Sequence, residues 1–255
     1  MTERKNLGLL GKDIQRSNSP ALFARFFQEA GLKDLSYDLF DLSGPELIPD
    51  LLAEENLLGF NVTSPYKKEI IQHIDSLSEE AAFTGAVNTV VWNDNIWIGH
   101  NTDVIGVRAT LDKLDLKADY PAIIMGNGGA SKAVQYVLKE RGFEYRVFSR
   151  ISRDGSFRYY QLTKDMVRES QLIVNTTLLG KPPHEDKMPA IPYLVLTEQH
   201  VLFDLNYIPS VSAFMRMADK YGARSINGDL MLESQARASW EIWKEALSME
   251  IPGKS

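Results

Sequence analysis

Lys67 stands two residues after a proline that ends an apolar strand, and around that point the chain gathers residues able to do chemistry. The segment is Gly59-Phe60-Asn61-Val62-Thr63-Ser64-Pro65-Tyr66-Lys67. Leu57, Leu58, Phe60 and Val62 are strand-forming apolar residues. Pro65 removes a backbone donor and disfavours helix at Ser64, so the strand must stop there. Asn61, Thr63 and Ser64 cluster at the stop. Open α/β sheets bind ligands beyond the carboxyl ends of their strands, which makes Lys67 a candidate proton-transfer group. A lysine at a strand end is more often an ordinary solvated cation, and spacing alone leaves both readings open. Asp103 is well placed to start a helix farther along. It ends Gly99-His100-Asn101-Thr102-Asp103, and the helix carries Val104, Val107, Leu111 and Leu114.

A second constellation is suited to a nucleotide. The buried strand Pro121 to Met125 runs into Gly126-Asn127-Gly128-Gly129-Ala130-Ser131. A helix follows with Ala130, Ala133, Val134, Val137 and Leu138 on one face. It ends at Gly142, and Tyr145 to Phe148 is another strand. Strand, glycine turn, helix and strand form a dinucleotide-binding βαβ unit, in which the glycines let a pyrophosphate approach the helix N-terminus. The alternative is a glycine turn needed only for close packing. Beyond the second strand the chain reads Ser149-Arg150-Ile151-Ser152-Arg153, with no carboxylate before Asp154. NAD binders place an acidic residue about 20 positions on, whereas guanidinium groups suit a 2′-phosphate. NADP is therefore expected over NAD, unless the two arginines are merely solvated.

The elements that must hold these residues alternate strand and helix. Leu7 to Leu10 is a first strand. Ser19-Pro20 starts a helix, with Ser19 as its N-cap, and Leu22, Phe23, Phe26 and Phe27 line one face. Ser36 to Leu42 is a second strand, followed by a helical segment that Pro49 shortens or breaks. A helix is expected after Lys67 through Ile70, Ile71 and Ile74. Gly85 to Trp92 reads as a strand, with Ile96 to Ile98 its hairpin partner across Asn93-Asp94-Asn95. Gln171 to Asn175 and Val201 to Asp204 are further strands. A helix from about Ser212 to Tyr221 precedes a last helix with Ala236, Trp240, Trp243 and Leu247.

At 255 residues the chain suits one large domain or two ordinary ones. It contains no cysteine, which rules out disulfides, thiolate metal sites and cysteine nucleophiles. Its four histidines lack metal-ligand spacing, so no metal site is expected. A net charge of −6 with no basic stripe argues against nucleic acid as a partner. No run approaches the ~20 apolar residues of a membrane helix, and Leu7 to Leu10 is too short for a signal-peptide core. A cytoplasmic location is expected.

Taken in order, these motifs resemble the shikimate dehydrogenase family over nearly the whole chain. Ser17-Asn18-Ser19-Pro20 is similar to its first substrate loop. Asn61-Val62-Thr63, Pro65 and Lys67 are similar to its signature strand end. Gly85-Ala86-Val87-Asn88-Thr89, Asn101-Thr102-Asp103, the glycine turn, Asn175-Thr176-Thr177, and Asn227-Gly228 through Gln235 match its later motifs. The resemblance implies an α/β fold in two domains. Residues 1–102 with 229–255 would form a substrate-binding domain with a mixed sheet, and 103–228 a Rossmann-like NADP-binding domain. It implies reversible reduction of 3-dehydroshikimate to shikimate, in the chorismate route to aromatic amino acids, by a monomer or homodimer. Lys67 and Asp103 would be the catalytic pair. Ser17, Ser19, Thr63, Asn88, Tyr207 and Gln235 would join them in binding substrate. Gly126, Asn127, Gly128, Gly129, Ala130, Ser149, Arg150, Arg153, Asn175, Thr176 and Gly228 would bind cofactor. Arg16, Asn127, Ile151, Lys181 and Leu230 depart from the family pattern. The competing readings are a member accepting quinate or NAD, a non-catalytic NADP-binding regulator, and a methyltransferase. Retention of Lys67 and Asp103 argues against the regulator. The lack of an acidic residue in the strand before Gly126, and the substrate motifs left unexplained, argue against the methyltransferase.

Overall fold

The computed structural model describes residues 6–152 and 155–250. The chain forms two compact units, one of residues 1–105 with 234–255 and the other of residues 106–233.

The first unit begins with β1 (Asn6–Gly11), α1 (Ser19–Glu29) and β2 (Ser36–Asp41). A short 3₁₀ turn, Pro45–Leu47, leads into α2 (Ile48–Leu52). Pro49 thus sits in the first turn of a short helix, where its missing N–H costs nothing. Next come β3 (Leu57–Val62), β4 (Ser76–Leu77), α3 (Glu79–Thr84), β5 (Thr89–Asn93), β6 (Ile96–His100) and the start of α4 (Asp103–Leu111). The sheet order is β2-β1-β3-β5-β6-β4. β1 runs parallel to β2 and β3, while β5 is antiparallel to β3 and β6, so the sheet is mixed as expected.

β3 lies at the centre of this sheet and is buried on both faces. Leu10, Phe60, Val62 and Val90 pack on one side with Ile48, Tyr66, Ile70 and Trp97. Leu7, Leu58 and Val91 pack on the other against Phe23, Phe26 and Phe27 of α1 and Trp240 and Trp243 of the last helix. Trp243 is fully buried, and its indole N–H donates to the Val90 carbonyl at 2.9 Å. A Cβ on Gly59 would lie 2.5 Å from Trp243 Nε1, so the glycine in mid-strand is there to admit the indole.

Four local expectations are corrected. The N-cap of α1 is Asn18; Ser19 is the first helical residue, and its N–H donates to Ser17 Oγ at 3.2 Å. The expected helix through Ile74 is only a 3₁₀ turn, Glu69–His73. The Trp97 N–H donates to Asp75 Oδ2 at 2.7 Å, and β4 pairs with β6, so pairing to the sheet prevails over the helical periodicity of the isoleucines. Gly85 to Asn88 is not strand: Gly85 closes α3 in the left-handed region at φ 59°. Leu114 lies beyond the end of α4.

His100, at the end of β6, offers a pH test. Burial pulls its imidazole below the ordinary value, opposed in part by Glu80. The neutral ring therefore favours the folded state above the unfolded value of about 6.5, and that contribution is lost as pH falls through the depressed native value. Wild type should lose more stability between about pH 7 and pH 5 than His100→Gln does. Urea midpoints at the two pH values test this, and equal losses would show that burying the ring carries no such cost.

The second unit contains the rest of α4, then β7 (Ala122–Met125), α5 (Gly129–Glu140), β8 (Tyr145–Ser149) and β9 (Phe157–Arg158). It continues through α6 (Lys164–Glu169), β10 (Leu172–Asn175), β11 (Val201–Asp204), α7 (Ala213–Lys220) and β12 (Arg224–Ile226). Sequence patterning does not announce β9, α6 and β12, three elements of six residues or fewer. All pairings are parallel, in the order β12-β11-β10-β7-β8-β9. Counted from β7 as the first strand, this is the doubly wound 3-2-1-4-5-6 arrangement of a Rossmann fold. α8 (Asp229–Glu250) then returns the chain to the first unit. Among the described residues no helix is long and apolar enough to cross a membrane.

Candidate functional site

The strand end at β3 is fixed by backbone bonds before any side chain acts. The Thr63 N–H donates to Leu10 C=O at 2.9 Å, and the Val87 N–H donates to Lys67 C=O at 2.7 Å. Buried Tyr66 donates its hydroxyl proton to Leu42 C=O at 2.7 Å, tying down the residue before the lysine.

Lys67 Nζ lies 2.6 Å from Asp103 Oδ2. The lysine side chain is 26% exposed and the aspartate 10%, so the pair is accessible but largely sheltered from solvent. The other carboxylate oxygen, Oδ1, accepts from Asn88 Nδ2 at 2.9 Å. The orientation of that amide is determined, because Asn88 Oδ1 accepts from the Thr102 backbone N–H at 2.7 Å. Gln235 Oε1 on α8 lies 3.4 Å from Asn88 Nδ2. Four residues named from the sequence, Lys67, Asn88, Asp103 and Gln235, therefore meet in one cluster. Ser17 and Ser19 form their own pair, Ser17 donating to Ser19 Oγ at 3.1 Å. Thr63 sits at the β3 end, four positions before the lysine.

Sequence reasoning missed the residues behind this cluster. The Tyr37 hydroxyl, hydrogen-bonded to Ser19, donates to Asn61 Oδ1 at 2.8 Å. Burial pushes the Tyr37 phenol well above its ordinary value, so it stays protonated. Asn61 Nδ2 in turn donates to Thr89 Oγ1 at 3.1 Å and Ser239 Oγ at 3.0 Å. Thr102 Oγ1 receives Asn88 Nδ2 at 3.0 Å and lies 3.1 Å from Ser239 Oγ. Asn61, Thr89 and Thr102 stand in the motifs quoted above without a role, and the signal for Ser239 was a serine on the apolar face of Ala236, Trp240 and Trp243.

In the second unit the glycine turn follows β7 at the point where strand order reverses, between β7 and β10. Gly126 has φ 113°, and a Cβ there would meet Thr176 Oγ1 at 2.4 Å, so both backbone and packing demand glycine. At Gly128 a Cβ would meet no protein atom within 4 Å, so packing alone does not demand glycine. Gly128 is the N-cap of α5, with Gly129 and Ala130 in its first turn beside Asn127. Thr176 Oγ1 donates to Met125 C=O at 2.9 Å, joining the ends of β7 and β10.

Asn175 is fully buried and spent internally. Its Nδ2 donates to Leu179 C=O and Asp204 Oδ1, both at 3.0 Å, and its Oδ1 accepts from Thr177 N–H and Oγ1. That side chain shapes the loop and has no bond left for a cofactor while these hold. Ser149 is similar, its hydroxyl facing Ser156 Oγ at 3.1 Å. A Cβ on Gly228 would lie 2.2 Å from Leu205 C=O, which explains that glycine by backbone packing. Arg150 is exposed at the end of β8, and Arg158 Nη1 donates to its carbonyl at 2.9 Å. Arg153 lies outside the described residues. Tyr207 follows β11 in the second unit, where burial and the Asp229 charge raise its phenol above the ordinary value. Among the described residues no group of three His, Cys, Asp or Glu could hold a metal.

Residues 9–90 match the family model described as the shikimate dehydrogenase substrate binding domain. A shikimate dehydrogenase (NADP(+)) of Methanococcus maripaludis is 32% identical over 95% of this chain and 92% of its own length. The structure of shikimate 5-dehydrogenase from Thermus thermophilus in complex with NADP(H) and shikimate superposes with a TM-score of 0.83 at 29% identity, covering 97% of this chain and all of the other (100%). Quinate dehydrogenase from Corynebacterium glutamicum in complex with NAD is also similar, with a TM-score of 0.84 at 25% identity and 96% coverage of both chains. The motifs, the two α/β units and the full-length likeness agree, and this chain belongs to the shikimate dehydrogenase family.

Proposed function

We propose that the chain is an NADP-dependent shikimate dehydrogenase, interconverting 3-dehydroshikimate and shikimate in aromatic amino-acid biosynthesis. The observation that carries this reading is the Lys67–Asp103 contact at 2.6 Å, with Asn88 on the second carboxylate oxygen. When bound, NADPH supplies the hydride to the ring ketone. Reduction builds negative charge on the ketone oxygen, which must collect a proton. The Lys67 ammonium stabilises that charge and donates the proton; in the reverse direction the neutral amine removes it from the hydroxyl. Asp103 spends one oxygen holding Lys67 and the other holding Asn88, so the lysine is oriented before substrate arrives. Thr63, Asn88, Asp103 and Gln235 offer the mixed donors and acceptors that ring hydroxyls need. Ser17 and Ser19 supply hydroxyls for the substrate carboxylate.

The second unit fits NADP. The α5 N-terminus presents backbone N–H groups and a positive dipole end to a pyrophosphate. Gly128 leaves room beside them that a Cβ would fill. Arg150 is exposed at the end of β8, where a ribose 2′-phosphate would need a guanidinium. The lack of cysteine supports a reducing, cytoplasmic setting. The working partners are then small molecules, acting on a monomer or homodimer.

The likeness to quinate dehydrogenase motivates a second reading, in which quinate or NAD is used. Spectrophotometric assay of shikimate and quinate with NADP⁺ and NAD⁺ separates the two. Shikimate with NADP⁺ should give the highest kcat/KM, and Arg150→Ala should raise the NADP⁺ KM about tenfold, as expected for losing a bond to a charged group. The NAD⁺ KM should stay unchanged. No turnover of shikimate with either cofactor would overturn the main reading.

A further inference from the structure

We infer that Ser239, on the face of α8 turned to the sheet, is a positioning residue that holds Gln235 and the Thr102–Asn88–Asp103 run in working geometry. The inference rests on the dehydrogenase reading above and adds to it a residue that does not touch substrate. Ser239 is completely buried, and so is Thr89; Thr102 is 1% exposed. Around the single Ser239 hydroxyl lie Thr89 Oγ1 at 2.7 Å, Asn61 Nδ2 at 3.0 Å, Gln235 C=O at 3.0 Å and Thr102 Oγ1 at 3.1 Å. These groups belong to β3, β5, the β6–α4 turn and α8 itself.

The directions of the bonds can be worked out. Asn61 Oδ1 takes the Tyr37 proton, so its Nδ2 must be the group facing Ser239. A hydroxyl has one proton to give and two lone pairs to fill. Ser239 gives its proton to the Gln235 carbonyl one turn earlier, accepts from Asn61 on one lone pair, and has the other for one threonine hydroxyl, Thr89 being the nearer at 2.7 Å. Those bonds set the rotation of α8 about its axis, and Gln235 leaves the same face of that helix one turn earlier. Gln235 Oε1 then lies 3.4 Å from both Asn88 Nδ2 and Thr102 Oγ1. Thr102 is also the residue immediately before Asp103. An alanine at 239 would leave Asn61 Nδ2 and two threonine hydroxyls competing for fewer partners in a site closed to water, and they would relax by shifting α8 or the β6–α4 turn.

Ser239→Ala should lower kcat for shikimate oxidation about fivefold and raise the shikimate KM about fivefold, in keeping with the cost of sub-ångström misplacement in an oriented site. The NADP⁺ KM should not move, and Ser239→Thr, which keeps the hydroxyl, should recover most of the loss. A merely structural serine would instead lower the melting temperature and the active fraction, with both KM values unchanged. That result would overturn the inference, as would values for Ser239→Ala within about twofold of wild type. Should Ser239→Ala not accumulate as folded protein, Ser239→Cys, close to serine in size and a poor hydrogen-bonding group, is measured in its place with the same expectations. A wild type that does not turn over shikimate overturns the dehydrogenase reading and this inference with it. A normal wild type with an unaffected Ser239→Ala variant overturns this inference alone.

Discussion

Lys67→Ala is expected to lower kcat for shikimate oxidation about 10³-fold, within the range contributed by a positioned proton donor that also stabilises developing oxygen charge. The NADP⁺ KM should stay within about twofold, because nothing in the glycine turn or at Arg150 depends on the lysine. The change deletes an ammonium held 2.6 Å from Asp103 while leaving that carboxylate its bond from Asn88, so the fold should survive. Lys67→Arg separates charge from proton transfer. A guanidinium keeps the positive charge but does not release its proton at working pH. Failure of arginine to restore turnover would assign Lys67 to proton transfer as well as charge stabilisation. Full activity in Lys67→Ala would remove it from the mechanism.

Trp243→Ala should destabilise the protein by about 3–5 kcal/mol, the usual cost of truncating a fully buried aromatic. Three contacts are lost together: the bond to Val90 C=O, the face against the Gly59 backbone, and the packing on Phe23 at a centroid distance of 5.2 Å. Gly59 cannot fill the space, because it has no side chain to move. Trp243→Phe should cost less, since it keeps most of the apolar bulk and loses the N–H donor. Urea unfolding midpoints measure both. A loss under about 1 kcal/mol for the alanine variant would mean that α8 is anchored elsewhere. Because α8 also carries Gln235 and Ser239, the alanine variant should lose shikimate turnover at urea concentrations that wild type tolerates.

Where the sequence was legible, the information was local. β3 stops at Val62, and Pro65, with no N–H to give a sheet ladder, bars its extension, so the strand end before Lys67 could be placed from composition. Gly126 between a buried strand and an amphipathic helix could be read in the same way, and the structure adds that its φ of 113° and the closeness of Thr176 would strain any side chain there. The elements that escaped are the short ones. β4 and β9 have two residues each, too few to show a period, and exist through pairing with β6 and β8. The isoleucines after Lys67 misled for the converse reason, since helical spacing yielded to the bonds between Asp75 and Trp97.

The sequence by itself determined the family, the two-part α/β plan and the residue types at the site, because each rests on short motifs whose chemistry is carried by adjacent residues. Tertiary structure alone decided which of those residues meet. Lys67 and Asp103 are 36 positions apart, and Asn61 and Ser239 are 178 apart. No propensity or periodicity spans such separations. The first pair closes through the β3-β5-β6 pairing, and the second because burying Trp243 against Gly59 holds α8 on the sheet and sets Ser239 among the polar ends of β3, β5 and the β6–α4 turn. A serine within an apolar helical stripe reads as a flaw in the pattern until that packing supplies its partners.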